Sequence, residues 1–281
     1  MKTKFIQCIA ALVLLLSVNA AQAAITCTIS SPGFGAGYTS GGAQVITPSS
    51  YSITCTRGLA GDPLTTTYAV AIDNGQFANG VNNRAASGAN RIRYDLFANN
   101  TCATSWKGNT TIPATAGTIT MSGFTPTTAT QNFWGCIAAG LTPVAGTYSD
   151  TVTMTPTYSA GVVGGTGTFP VNIITPPVCT MGAIPNITLV YDNAFRVTPA
   201  TATTNAPVTC SNTLSYTLAV SPVNGVSAGI NYALSLPANG TGTGVAQAIT
   251  ITATAAAGQA GTCATATCTG APQTHTLTVT Y

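Results

Sequence analysis

The chain has 281 residues, of which 45% are hydrophobic and only 5% are charged, and it contains no glutamate. Ordinary soluble domains carry roughly 25% charged residues, so this composition excludes a highly charged disordered segment. The formal net charge of +3 includes Lys2 and Lys4, and without them six basic residues face five acidic ones, which excludes a nucleic-acid-binding surface built on a large excess of cations.

Residues 1–23 are typical of a secretory signal peptide. Lys2 and Lys4 form the positive region, an apolar core follows from Ile9 to Val18, and residues 21–23 are a small-x-small cleavage site. We therefore predict that the mature chain starts at Ala24 and is exported. An uncleaved anchor is the alternative, but no stop-transfer flank follows the apolar core. No later stretch reaches the roughly 20 apolar residues that a membrane helix needs.

Cysteine usage agrees with export. Cys8 lies in the predicted signal, and an even number of cysteines remains, which in an exported chain predicts disulfides. The eight are Cys27, Cys55, Cys102, Cys136, Cys179, Cys210, Cys263 and Cys268. A metal site at the last two is a weak alternative, because their spacing and the single histidine do not suit tetrahedral coordination.

The mature chain repeats one pattern twice, in what we call copy one (24–174) and copy two (175–281). Every matched segment alternates apolar and polar residues with period two and is rich in Thr, Val, Ile and Tyr, which predicts antiparallel strands. The matched strands are 53–56 with 208–211, 68–72 with 216–220, 92–96 with 230–234, and 152–158 with 275–281. Between the second and third of these, Asn74-Gly75 and Asn224-Gly225 are matched predicted turns. We predict an all-β protein made of two tandem immunoglobulin-like sandwiches.

Each copy carries four cysteines, so no pairing between the copies is needed. The first two cysteines of each copy flank its opening strands, and the last two lie in its second half. The predicted disulfides are Cys27–Cys55, Cys102–Cys136, Cys179–Cys210 and Cys263–Cys268.

The two copies differ at their ends. A segment alternating apolar at Phe169, Val171 and Ile173 lies between them, whereas copy two runs out at Tyr281, the equivalent of Tyr158. We expect that segment to complete copy one in cis and copy two to lack its last strand. A sandwich without its last strand exposes a groove and an unpaired sheet edge, which a strand from another polypeptide can fill. Leu277, Val279 and Tyr281 share one face of the final strand and are expected to line that groove.

Copy one carries several short motifs rich in glycine and aromatic residues: Phe34-Gly35-x-x-Tyr38, residues 72–75, Tyr94-x-Leu96, Trp106-Lys107-Gly108, Phe133-Trp134-Gly135 and the segment 145–152. Together they resemble the spore coat protein U domain. The resemblance covers nearly all of 25–158 and, more loosely, 167–281. Copy two departs from the pattern because it lacks the Trp-x-Gly and 145–152 motifs.

That resemblance implies a pilin of the archaic chaperone-usher type. Such a subunit is held in the periplasm by a pilus chaperone, assembled at an outer-membrane usher, and joined to a neighbouring pilin by a donated strand. A two-domain member without an N-terminal donor resembles a tip adhesin, with copy one binding a surface and copy two acting as the pilin domain.

Catalytic and cofactor sites find no support in the sequence. The single His275 lies in a predicted strand, five scattered aspartates form no paired carboxylates, and the glycines at 164–167 precede no helix, so they indicate a flexible connector rather than a phosphate loop. We predict neither an enzyme, nor a cofactor, nor a bound metal. A sugar-stacking face is the alternative to core packing for Trp106, Phe133 and Trp134. Because all three fall in framework motifs, they are expected to be core residues.

Surface contacts are expected from loops outside the family motifs. These are 58–63, 81–90 with Arg84, and 113–131 with Met121 and Phe124. Arg84, Arg91 and Arg93 also suit solubilising or edge-guarding roles. The hypothesis is a pilus tip subunit at the cell surface that mediates attachment and biofilm formation. A secreted coat or matrix protein and a stand-alone carbohydrate-binding module are the alternatives.

Overall fold

The computed structural model describes residues 24–262 and 269–281, and within them it contains strands and no helix. The prediction of an all-β protein is confirmed. The predicted signal peptide (1–23) and the predicted pair Cys263–Cys268 lie outside the described residues. No helix in the described part of the chain is long and apolar enough to span a membrane.

Copy one contains eleven strands. They are β1 (Ile25–Ser30), β2 (Phe34–Gly37), β3 (Val45–Thr56), β4 (Thr65–Ile72), β5 (Asn83–Ser87), β6 (Asn90–Phe97), β7 (Thr111–Thr120), β8 (Thr127–Ile137), β9 (Gly146–Tyr158), β10 (Val162–Gly164) and β11 (Gly167–Thr175). Their hydrogen-bonded order is β10-β1-β3-β8-β6-β5-β9-β11-β2, and β4 joins β7 to β9. The glycines at 164–167 are therefore mostly strand ends of β10 and β11 rather than a long connector.

One continuous core fills copy one. Alternate residues of its strands point inward, as the burial pattern of β1 illustrates. An aromatic row crosses this core from Tyr51 to Trp106 to Phe133 to Phe169, with ring centroids 5.4, 5.5 and 5.3 Å apart. The Trp106 indole N–H donates to the Val70 carbonyl at 3.0 Å, so its polar atom is satisfied in the core.

The described part of copy two contains eight strands in two sheets. They are β12 (Cys179–Met181), β13 (Ala200–Cys210), β14 (Ser215–Ser221), β15 (Asn224–Ser227), β16 (Ile230–Ser235), β17 (Asn239–Thr241), β18 (Gln247–Ala255) and β19 (Thr276–Thr280). One sheet has the order β12-β13-β18-β16-β15 and the other β17-β14-β19. The predicted turn at Asn224-Gly225 is instead the start of β15, which pairs with β16.

The internal repeat extends to strand register. Val70 pairs with Pro156 and Ile72 with Met154, and the matched residues of copy two pair in the same way, Leu218 with Val279 and Val220 with Leu277. The opening strands also correspond, because Cys27 faces Cys55 and Cys179 faces Cys210. Both cysteine pairs form disulfides, as do Cys102 and Cys136.

The copies meet at the loop between β8 and β9. Val144 forms a parallel bridge with Asn212, whose side-chain amide donates to the Thr142 carbonyl at 3.0 Å. β8 starts at Thr127, at its end away from copy two. Because an 11-residue strand spans about 35 Å, the loops that precede β8 lie at the pole of copy one farthest from copy two.

Candidate strand-acceptor site

In copy one, the segment between the copies is a central strand of the sandwich. β11 pairs antiparallel with β9 along its whole length, from Gly167 opposite Met154 to Thr175 opposite Gly146. Its other edge pairs in parallel with β2, where Val171 lies opposite Phe34. The segment predicted to complete copy one therefore has a strand on each side.

The inward side chains of β11 belong to the core. Phe169, Val171 and Ile173 are 1%, 1% and 0% exposed, whereas Ile174, which points outward, is 52% exposed. Successive side chains of a strand point to opposite faces of the sheet, so one set of β11 side chains is buried in the core and the other faces outward.

Copy two has the receiving strand without a strand beside it. β19 pairs with β14, and no other strand among the described residues pairs with its opposite edge. By register, residues 269–277 correspond to the part of β9 that pairs with β11, and of these only Thr276 and Leu277 are in a strand. The free edge is therefore the one that β11 covers in copy one.

The strand on the other side of β11 in copy one, β2, also has no counterpart strand in the described part of copy two. In copy one, β2 follows the first strand and closes over β11. In copy two, the chain between β12 and β13 (182–199) forms no strand, and three of its large apolar side chains, Val190, Phe195 and Val197, are 65%, 67% and 93% exposed. Exposed apolar side chains in a segment without strand pairing are typical of a surface that a partner covers.

The cores differ accordingly. Copy one has one cluster of 26 buried residues, while among the described residues copy two has two separate clusters, one of four residues around Val208 and Tyr216 and one of three around Leu234. Leu277 and Val279 are half-buried against the larger of these, whereas Met154, the equivalent of Leu277, is fully buried. Tyr281 is 56% exposed, beside a shallow cleft of about 670 Å³ at the ends of β14 and β19.

In each copy a tyrosine hydroxyl contacts a polar side chain in or beside the equivalent strands β9 and β19. In copy one the Tyr94 hydroxyl donates to Asp150 Oδ2 at 2.7 Å, and burial together with that carboxylate raises the pKa of Tyr94, so the hydroxyl stays protonated. In copy two the matched Tyr232 hydroxyl lies 2.7 Å from His275 Nε2, and burial raises its pKa. The other ring nitrogen, Nδ1, lies 2.6 Å from the Pro222 carbonyl. His275 can therefore donate from Nδ1 to the Pro222 carbonyl and accept at Nε2 from the Tyr232 hydroxyl. Both ring nitrogens then hold neighbouring segments of copy two together.

The loop residues predicted to contact a surface are placed differently from one another. Met121 is 1% exposed and belongs to the core, so the prediction that it makes a surface contact is wrong. Arg84 lies in β5 rather than in a loop, and its Nε donates to the Phe77 carbonyl at 2.9 Å. The predicted loop 113–131 is mostly the strands β7 and β8. The threonine-rich run at 127–130 is the signal that could have identified the start of β8, because threonine is enriched in strands.

Phe124 does lie at the surface, at the pole of copy one away from copy two. It is 55% exposed, with the Arg57 guanidinium 5.7 Å from its ring centroid. Leu59 and Leu64, 53% and 56% exposed, lie in or beside the neighbouring loop between β3 and β4, and the Leu64 carbonyl accepts from the Met121 amide at 2.7 Å. We call these three side chains the distal apolar group.

Two of the three aromatic residues predicted to lie in the core are buried there, and the third is not. Trp106 and Phe133 are fully buried, as expected, whereas Trp134 alternates to the outer face of β8 and is only half-buried. Within the described residues no group of three His, Cys, Asp or Glu side chains could hold a metal ion.

Comparisons with known proteins give one family match. The model of the Spore Coat Protein U domain matches residues 12–155, just over half of the chain. A search of curated proteins finds no significant match.

Solved structures similar to the chain include three pilus proteins. One is a chain of the complex of the chaperone CsuC with the tip adhesion subunit CsuE from Acinetobacter baumannii, with 12% identity over 90% of this chain and 100% of that one and a TM-score of 0.45. The CupB6 tip adhesin from Pseudomonas aeruginosa has 10% identity over 85% and 90%, with a TM-score of 0.39. The CooA pilin subunit of enterotoxigenic Escherichia coli has 13% identity over 54% and 99%, with a TM-score of 0.33. These TM-scores are too low to support a conclusion about function.

Proposed function

The chain belongs to the Spore Coat Protein U domain family, and we propose that it is a non-enzymatic adhesive subunit at the tip of a chaperone-usher pilus. In this proposal copy one attaches the pilus to a surface during biofilm formation, and copy two accepts a donor strand from a neighbouring subunit. The proposed domain limits are 24–174, including the strand that completes copy one, and 175–281.

The observation that carries the proposal is the contrast between β9 and β19. Two strands of the same repeat, in the same register with their sheet neighbours, differ in that one has β11 on its outer edge and the other has no described strand there. An unpaired strand edge favours strand addition from another chain. A stand-alone binding module would need both sandwiches to be complete.

The repeat also supports a direction for the donated strand. In copy one, β11 runs antiparallel to β9 and parallel to β2. We expect the donor to run antiparallel to residues 269–277, with its alternate apolar side chains over Leu277 and the cluster around Val208. Before assembly a periplasmic chaperone would cover the same edge, and an outer-membrane usher would exchange it for the donor.

The test is to append a second copy of residues 159–175 after Tyr281. These residues contain the connector, β10 and β11 with which copy one completes itself. The thermal midpoint of copy two should rise by about 5 to 10 °C, because a new strand pairs with the free edge and buries its own apolar side chains with the half-buried Leu277. Far-UV circular dichroism follows both copies, while tryptophan fluorescence reports copy one alone, since Trp106 and Trp134 both lie there.

The matched control carries serine at the three appended positions that correspond to Phe169, Val171 and Ile173. It keeps the backbone and the length but not the apolar side chains, so it should leave the midpoint unchanged. If the two extended chains melt at the same temperature as the mature chain, copy two is already complete. A secreted coat protein or a stand-alone binding module would then be the better hypothesis.

The distal apolar group supports attachment through the far pole of copy one. Changing Phe124 and Leu64 to serine together should reduce retention of the mature chain on a hydrophobic polystyrene surface by about tenfold, because two exposed apolar side chains lose their contact area. Val226→Ser, a change of similar exposure in copy two, is the control and should have no effect. Equal retention of all three proteins would contradict attachment through this pole.

A further inference from the structure

Positive charge is concentrated on one face of copy one. After the predicted signal the chain has six Lys and Arg residues. Arg57 is buried and donates to the carbonyls of Ala60 and Asp62, and Arg196 pairs with Asp192 at 3.1 Å. The remaining four, Arg84, Arg91, Arg93 and Lys107, lie on or beside β5 and β6.

Strand register places these four cations together on the outside. Arg84 lies directly opposite Arg93, and Arg91 is two residues along from Arg93 on β6. Ile92 and Tyr94, which alternate with them, are buried in the core. The side chains of Arg91 and Arg93 therefore point away from the core.

A single carboxylate faces this group. Asp95 accepts from Arg93 at 3.0 Å and from Lys107 at 3.1 Å. The other two guanidinium groups bond carbonyl oxygens, Arg84 to Phe77 and Arg91 to Gly88, which orients them without neutralising them. Like charges directly opposite each other destabilise an antiparallel pair, so the arrangement carries a cost in the isolated protein that a bound anion would relieve.

An apolar row adjoins the cations on the same outer face. Pro48 pairs with Trp134, and Trp134 pairs with Phe97, which lies four residues along β6 from Arg93. Neighbouring strands are about 4.8 Å apart, so the row is roughly 10 Å across, about the length of two sugar rings. Pro48 is exposed, and the two aromatic rings are half-buried.

We propose that this basic face, formed by Arg84, Arg91, Arg93, Lys107 and the row Pro48, Trp134 and Phe97, binds an acidic polysaccharide. Arginine pairs with carboxylates through two parallel hydrogen bonds, and sugar rings lie against aromatic side chains. The face is separate from the distal apolar group and from the strand-acceptor site, so it would be a second adhesive surface on the side of copy one.

The surroundings of the cations favour a polysaccharide over single-stranded nucleic acid. Nucleic acid needs free aromatic faces beside its phosphate track, because its bases stack on them. The aromatic ring closest to these cations, Phe77, is already covered by the Arg91 guanidinium at 4.8 Å from its centroid. The other two rings of this face, Trp134 and Phe97, are half-buried and lie together in a row to one side of the cations, whereas successive stacked bases need rings spaced along the charged track.

The test measures binding of the mature chain to polygalacturonate, with neutral dextran as the uncharged reference. Arg91→Gln/Arg93→Gln should weaken polygalacturonate binding at low salt by at least about tenfold, since two charge-assisted contacts are lost. Binding of the unmodified protein should fall steeply as salt rises. Arg84 is kept in this variant because it holds the carbonyls of Phe77 and Ala78.

The matched control is Arg196→Gln in copy two, which removes one cation that already has a carboxylate partner and should not change the affinity. If the double variant does not fold, Arg93→Glu, at a side chain that is 51% exposed, tests the same face. Unchanged affinity of the variants, equal retention on dextran, or tighter binding to single-stranded DNA or anionic vesicles than to polygalacturonate would overturn the proposal. None of these results bears on strand acceptance by copy two.

Discussion

Phe169→Ala is expected to lower the free energy of unfolding of copy one by about 3 to 5 kcal/mol, the range for truncating a buried phenylalanine. Phe169 is 1% exposed and ends the aromatic row, 5.3 Å from the Phe133 ring. Its strand is held on both edges by β9 and β2, so the surroundings cannot collapse into the cavity. Urea titration followed by tryptophan fluorescence measures the loss, because both tryptophans are in copy one.

Ile174→Ala is the matched control on the same strand. Ile174 keeps the same backbone pairing but is 52% exposed, so its loss should stay within about 0.5 kcal/mol. Losses within about 0.5 kcal/mol for both variants would mean that β11 contributes through its backbone alone. In that case the apolar side chains of a donor for copy two would matter less than we propose.

Asp150→Ala is expected to cost about 3 kcal/mol, because it leaves several buried donors without an acceptor. The Asp150 carboxylate is 4% exposed and accepts from the Tyr94 hydroxyl at 2.7 Å and from the amides of Gln76 and Thr151, both at 2.8 Å. Burial and the carboxylate raise the pKa of Tyr94, so the hydroxyl remains a neutral donor throughout the working pH range. The same fluorescence titration measures the change.

Two further variants test the cause of this loss. Asp150→Asn keeps one carbonyl acceptor and the side-chain volume, so it should be less destabilising than the alanine variant. Asp192→Ala removes a carboxylate that is 61% exposed in copy two and should leave the unfolding of copy one unchanged. A cost below about 1 kcal/mol for Asp150→Ala would contradict a structural role for the hydrogen-bond network.

The strands and their repeat were predictable because both depend on local pattern. Period-two alternation in segments such as 68–72 and 216–220 places one face of each strand inside, and the structure keeps the matched residues in the same register. The strand between the copies was predictable for the same reason, since Phe169, Val171 and Ile173 alternate without interruption.

Alternation alone was a poor guide to the surface. The sequence pattern places Met121 in a contact loop, but its side chain is buried in the core, and its amide donates a hydrogen bond to the Leu64 carbonyl. The sequence pattern places both Phe133 and Trp134 in the core, yet adjacent residues of a strand face opposite sides, and only Phe133 points inward.

By itself, therefore, the sequence determined the all-β class, the two copies and the strand that completes the first, because these follow from local periodicity and from comparing one segment with another. Tertiary structure alone decided which residues share a surface. Arg84 and Arg93 become neighbours through hairpin pairing, and Pro48, Trp134 and Phe97 through the pairing of three strands that are distant in the chain. Such contacts depend on which strands pair and in which register, and no local pattern encodes that information.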